Sequence, residues 1–149
     1  MILPPRIGIL LSLLLLLLPA CLSDRTWQIL AGTDTIEILY YKKGKPGEFS
    51  GESFSIRDKQ FIREFFKSLS DKAPTQVKDN CEPIGRMRFL KARIDLLLYE
   101  ADFILEEGCA ALLLEYEGEV LPREIFPEGV EFLKLARKYK EAIDNEDIL

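Results

Sequence analysis

The 149 residues contain no histidine. Ser-His-Asp and Cys-His nucleophile pairs are therefore excluded, as is any histidine-ligated zinc or haem. Cysteine is scarce: with Cys21 set aside, Cys81 and Cys109 are too few for an all-cysteine zinc site within one chain. Neither a G-x-x-x-x-G-K followed by Ser or Thr nor a G-x-G-x-x-G stretch occurs, so no phosphate cradle of either kind is present. After residue 20 there is no long linker, repeat or low-complexity tract, which argues for one domain. The apolar stretch Ile7 to Leu18 is too short to cross a hydrocarbon core about 30 Å thick, which takes roughly 20 helical residues.

That stretch has another use. Met1 to Pro5 carry no side-chain charge, Arg6 adds a positive one, and Ile7 to Leu18 are apolar apart from Gly8 and Ser12. This is the profile of a signal peptide. At its end, Leu18-Pro19-Ala20-Cys21 resembles the lipobox of bacterial lipoproteins; Leu18, Ala20 and Cys21 match it, and Pro19 departs from the usual small or β-branched residue. The resemblance covers the targeting segment alone. It implies cleavage after Ala20, with a thioether-linked diacylglycerol and an amide-linked acyl chain on Cys21. Two or more chains hold a protein stably on a bilayer, whereas one does so only marginally. The competing reading is an ordinary secretory peptide cut after Ser23; Leu18 is too large for ordinary cleavage after Ala20, which favours the lipobox. On this reading residues 1–20 are the signal peptide and 21–34 the lipidated cysteine and a short tether. Residues 35–143 form a single domain, and 144–149 are an acidic tail.

The full chain carries a formal charge of −5, and since Arg6 is the only charge in residues 1–20 the remainder stands at −6. An acidic chain is a poor ligand for a phosphate backbone or an anionic lipid surface, so nucleic acid is not an expected partner. An exported chain meets an oxidising space, where Cys81 and Cys109 have only each other to bond to. Two free thiols are the alternative. A bond would stabilise the fold by about 3 to 4 kcal/mol in the chain-entropy model.

Period-two patterning predicts strands. Thr35 to Tyr41 places Ile36, Ile38 and Tyr40 on one face, Lys43-Gly-Lys-Pro-Gly47 is turn chemistry, and Glu48 to Phe54 can return as a partner. A helix follows from Ser55, as cap, to Leu69, with Phe61, Ile62, Phe65, Phe66 and Leu69 as its core stripe and Asp58 near its start. Three strands come next: Arg86 to Lys91, Leu96 to Leu105 and Ala110 to Tyr116. A two-residue turn at Glu107-Gly108 sets Phe103, Ala101 and Tyr99 opposite Leu112, Leu114 and Tyr116. A turn near Ile94 sets Met87 and Phe89 opposite Ala101 and Tyr99, with Arg86 facing Asp102 and Arg88 facing Glu100. The same register brings Cys81 level with Cys109. Val120-Leu121 is a short edge strand. Pro127 opens a last helix to about Ile143, with Phe132, Leu135, Ala136, Tyr139 and Ile143 inward and Lys134, Arg137, Lys138 and Lys140 wet. The expected fold is α+β, a two-layer domain in the order ββαβββα with both helices on the apolar face of an antiparallel sheet.

Acidic side chains at alternate strand positions are the one constellation with chemical potential: Glu100 and Asp102, then Glu115, Glu117 and Glu119. Such a set can hold Ca²⁺ or pair an acid with a base. It is also what the solvated face of a one-sided sheet looks like, with Arg86 and Arg88 as counter-charges, and that reading is preferred. No catalytic residue, metal ligand or cofactor is expected, and the protein is not expected to be an enzyme. The expected function is a lipid-anchored, non-catalytic binding or assembly module of the bacterial cell envelope. Its partners would be the membrane, through the lipid, and another envelope protein, met by the face Arg86, Arg88, Glu100, Asp102, Glu115 and Glu117 or by an edge strand. A carboxylate-dependent hydrolase of envelope glycans and a passive structural lipoprotein are the alternatives.

Overall fold

The computed structural model describes residues 30–72, 74, 80–116 and 118–146, without the side chains of Tyr116 and residues 141–146. The expected signal peptide, Cys21 and most of the tether lie outside the described residues. The chain divides into Met1–Gly32 and Thr33–Leu149, and the fold is that of the second unit.

Six strands form one sheet: β1 (Thr35–Lys42), β2 (Lys45–Ile56), β3 (Gly85–Lys91), β4 (Leu96–Ile104), β5 (Ala111–Tyr116) and β6 (Glu119–Glu124). Helix α1 (Lys59–Lys67) sits between β2 and β3, and helix α2 (Pro127–Glu146) follows β6. Spatial order is β2-β1-β3-β4-β5-β6, antiparallel throughout. The α+β class is as expected, and the elements follow in the expected order with the short edge strand at Val120-Leu121 lengthened into a sixth full strand, β6, before the last helix.

Alternation along the strands builds the core. Ile36, Ile38 and Tyr40 of β1, Met87 and Phe89 of β3, Ala101 and Phe103 of β4, and Leu112 and Leu114 of β5 are buried on one face. Both helices pack there: Phe66 of α1 against Phe89, ring centroids 5.8 Å apart, and Arg137 of α2 over the Tyr40 ring at 4.0 Å. Gly85 opens β3 between closely approaching atoms of β1 and β4. A Cβ there would meet the Leu39 carbonyl oxygen and lie 2.7 Å from Cε1 of Phe103.

The central registers are those the alternation predicts: Arg86↔Asp102, Met87↔Ala101, Arg88↔Glu100 and Phe89↔Tyr99 between β3 and β4, then Ala101↔Leu114 and Phe103↔Leu112 between β4 and β5. The β4–β5 connection is longer than a two-residue hairpin. Its centre is a turn in which the Cys109 N–H donates to the Glu106 carbonyl at 3.1 Å, with Gly108 at φ 84°. Because the loop is symmetric about Glu107-Gly108, the register survives. The ladder ends at Ala101↔Leu114, short of Tyr99 and Tyr116. The β3–β4 pairing has a register shift between Phe89 and Leu90, and irregularities of this kind increase local strand twist.

Two helix details differ from expectation. Strand β2 runs on through Ser55 to Ile56, and Asp58 is the cap of α1, its carboxylate accepting from the Phe61 N–H at 2.7 Å. Helix α2 is rolled relative to its apolar pattern: Val130 and Leu133 are buried, whereas Leu135 and Tyr139 are 51% and 70% exposed. Arg137, expected to be wet, faces β2 instead and grips Glu52 through two bonds of 2.9 and 2.8 Å. Lys140 likewise reaches the Ser53 carbonyl at 2.5 Å. The inward residues Val130, Leu133, Arg137 and Lys140 follow i, i+3, i+7, i+10, so one helical stripe is half apolar and half cationic. Helix α2 also extends to Glu146, taking in the first half of the expected tail.

Candidate functional site

With α1 and α2 on the apolar face, the other face of β1, β3 and β4 displays the charged residues. Strand periodicity puts Glu37, Leu39 and Tyr41 of β1, Arg86 and Arg88 of β3, and Glu100 and Asp102 of β4 side by side. Asp102 is the hub at one end. It accepts from the Tyr41 hydroxyl at 2.7 Å and from Nε of Arg86 at 2.8 Å. At the other end Arg88 donates to Glu37 at 2.7 Å. Glu100 lies between, 3.9 Å from a nitrogen of each arginine. The result is a chain of alternating charge, Glu37, Arg88, Glu100, Arg86, Asp102, ending on a phenol.

Two of these groups have displaced protonation equilibria. Burial, followed by the hydrogen bond to Asp102, pushes the Tyr41 phenol up to about 12, because ionisation would place a second negative charge beside a carboxylate. The hydrogen bond to Asp102 holds the Arg86 guanidinium still more firmly protonated than usual. Neither of these two groups changes its ionisation state across the neutral range.

Of the six residues expected to form an interaction face, Arg86, Arg88, Glu100 and Asp102 are brought together. Glu115 is exposed on β5, in register with Val120, and Glu117 lies outside the described residues. Glu37 and Tyr41 were missed by the sequence reading, although the alternate positions of β1 carried the signal: Glu37, Leu39 and Tyr41 are the odd set opposite the buried even one. The sulfur pair is where the register placed it, Cys81 and Cys109 forming a disulfide with Cα atoms 6.4 Å apart.

A cleft of about 440 Å³ opens elsewhere, between the β4–β5 turn and the first turns of α2. Leu105, Cys109, Ile125 and Val130 supply its apolar wall, and Glu124, Glu131 and Lys134 its polar one. None of Arg86, Arg88, Glu100 and Asp102 lines it. The sheet-face carboxylates are therefore paired with arginines away from the cleft, whose own carboxylates are Glu107, Glu124 and Glu131. Among the described residues no helix is long and apolar enough to cross a membrane. No protein-family model, curated protein or solved structure matches the chain at a significant level.

Proposed function

We propose that the protein is a lipid-tethered, non-catalytic docking module of the bacterial cell envelope, meeting its partner through the charged sheet face. The observation that carries this reading is the neutralised carboxylate row, in which Asp102 and Glu37 each accept a charge-assisted bond below 3 Å from an arginine on the neighbouring strand. A general acid or base needs a proton it can exchange and a cleft that excludes water; these side chains have fixed partners and a third or more of each arginine is exposed. The same features weigh against glycan hydrolysis by the sheet-face carboxylates.

The face is also a better docking surface than either edge. On β2, Leu39 pairs with Ser53 and Tyr41 with Phe49, so Ser50, Gly51 and Glu52 together oppose Tyr40. Ser50 secures this bulge by donating to the Tyr40 carbonyl at 3.1 Å while accepting from the Glu52 N–H, and Gly51 turns at φ 89°. On β6, Pro122 removes a donor. Bulges and prolines are the devices that keep sheet edges from pairing with other chains. Support for the tether comes from the lipobox resemblance at Cys21, and the disulfide suits an oxidising compartment.

Intact mass spectrometry of membrane-extracted protein tests the tether: the expected mass begins at Cys21 and includes a diacylglycerol and an acyl chain. A freely soluble chain with an unmodified terminus downstream of Cys21 would overturn it. A photo-crosslinker placed at Arg88 should capture one defined envelope protein, whereas one at Lys138 on the outer side of α2 should not. Equal capture from both positions, or capture from position 88 that survives Arg86→Glu, would overturn the docking face.

A further inference from the structure

At the corner where Cys81 and Cys109 are joined, a carboxylate oxygen of Glu106 and the two sulfurs all lie within 4.8 Å of one another. Two segments supply this trio: the approach to β3 gives Cys81, and the β4–β5 turn gives Glu106 and Cys109. The turn holds its two members in fixed relation, since the Cys109 N–H bonds to the Glu106 carbonyl and the positive φ of Gly108 closes it. While the sulfurs are bonded to each other they carry no charge and make poor ligands. Reduction changes that. A dithiol transfers two electrons and two protons to the disulfide, becoming a cyclic disulfide itself and leaving the Cys81 and Cys109 thiols side by side.

Two thiolates and a carboxylate form a zinc donor set, with metal–sulfur distances of about 2.3 Å and metal–oxygen distances of about 2.0 to 2.2 Å. Sulfurs on one tetrahedral ion stand roughly 3.8 Å apart at those lengths. Cα atoms 6.4 Å apart accommodate that separation through side-chain rotation alone. Cys109 is buried, Cys81 half-buried and Glu106 exposed, so the protein offers three ligands on one side and water has access to the fourth position. We propose that the reduced chain binds one Zn²⁺ through Cys81, Cys109 and Glu106, the two thiols releasing their protons to solvent as the metal–sulfur bonds form. One corner of the sheet would then be fastened by a covalent bond under oxidising conditions and by a metal ion under reducing ones. This inference stands on the trio's geometry and is independent of the docking function.

The test uses the full chain, reduced with a dithiol, freed of it anaerobically and titrated with Co²⁺ as a coloured stand-in for Zn²⁺. One equivalent should bind with a thiolate-to-cobalt charge-transfer band, and Zn²⁺ should displace it. Neither the oxidised chain nor the Cys81→Ser, Cys109→Ser double variant should show the band. Glu106→Gln, which leaves both sulfurs in place, should weaken affinity by about tenfold or more, since loss of even an outer-shell partner costs that much. Zn²⁺ should also raise the melting temperature of the reduced chain and leave that of the oxidised chain unchanged. No uptake on reduction, equal affinity in Glu106→Gln, a band that persists in the double variant, or a reduced chain whose melting Zn²⁺ does not alter would each overturn the proposal.

Discussion

Tyr41 shows how one side chain can couple two layers of argument. Its ring is buried against Phe49, 5.1 Å between centroids, while its hydroxyl reaches across β3 to Asp102 of β4. The folded chain holds the phenolic proton to about pH 12, against 10.0 for a free tyrosine. Below pH 10 the phenol is neutral in folded and unfolded chains alike, and its stabilising contribution is complete. Between about pH 10 and about 12 the unfolded chain ionises while the folded one does not, so stability falls, and above the folded value the contribution is gone. Urea midpoints measured from pH 9 to 12 should therefore decline less steeply in Tyr41→Phe than in the parent. Identical slopes would mean that neither burial nor the Asp102 bond holds the phenolic proton in solution. At neutral pH the same variant should lose about 1.5 to 3 kcal/mol, the net worth of a hydrogen bond to a charged group. Gly85 makes the complementary case, where the missing atom matters: Gly85→Ala forces a Cβ against Phe103 and the Leu39 carbonyl and should cost about 1 to 3 kcal/mol, read from the same urea curves.

Among the elements, the strands were readable and α2 was not, for a reason that lies in its partner. Strand parity has only two settings, and the wrong one would bury Arg86, Arg88, Glu100 and Asp102, so the register of β3, β4 and β5 follows from composition. A helix can roll continuously. Phe132, Leu135, Ala136 and Tyr139 suggest one inward stripe, yet the sheet beneath offers the Tyr40 ring and the Glu52 carboxylate, and these select Arg137. Nothing in the helix sequence announces that pairing, because the groups that attract the guanidinium lie 85 residues and more upstream. Phe132 still finds a ring, Phe61 of α1, at the rim of the layer. The start of α1 was misread similarly: Ser55 and Asp58 are both good caps, and only the length of β2 chooses between them. The roll of α2 predicts a contrast. Leu133→Ala should cost about 2 to 5 kcal/mol as a core truncation, while Leu135→Ser and Tyr139→Ser should stay within about 0.5 kcal/mol. Arg137→Lys should be distinguishable from the parent in thermal melts, because lysine keeps the charge but cannot make the paired bonds to Glu52 or lie flat on Tyr40. If Tyr139→Ser proved as costly as Leu133→Ala, the helix would be rolled the other way.

For the molecule as a whole, a one-sided sheet leaves its stability to one core and its fastenings. The ion pairs on the charged face are part-exposed, and pairs of that kind contribute about 0 to 1 kcal/mol each. They fix what the face presents more than they hold the sheet together. The disulfide acts differently. It joins residues 28 apart, and the loop it closes contains the whole β3–β4 hairpin together with the approach to β5. That hairpin carries Met87, Phe89, Ala101 and Phe103, the centre of the core, so the bond restrains in the unfolded chain a segment that supplies much of the core. Closing a loop of this size should contribute about 3 to 4 kcal/mol, chiefly by reducing the freedom of the unfolded ensemble. Two readings separate this origin from a purely native-state one. Cys81→Ala with Cys109→Ala should lower the urea midpoint by the equivalent of that energy, and it should also steepen the dependence of stability on urea, because an unfolded chain without the cross-link exposes more surface. A lowered midpoint with an unchanged slope would place the bond's effect in the folded corner around Glu106 and Gly108 instead, where the double substitution removes packing as well as the cross-link.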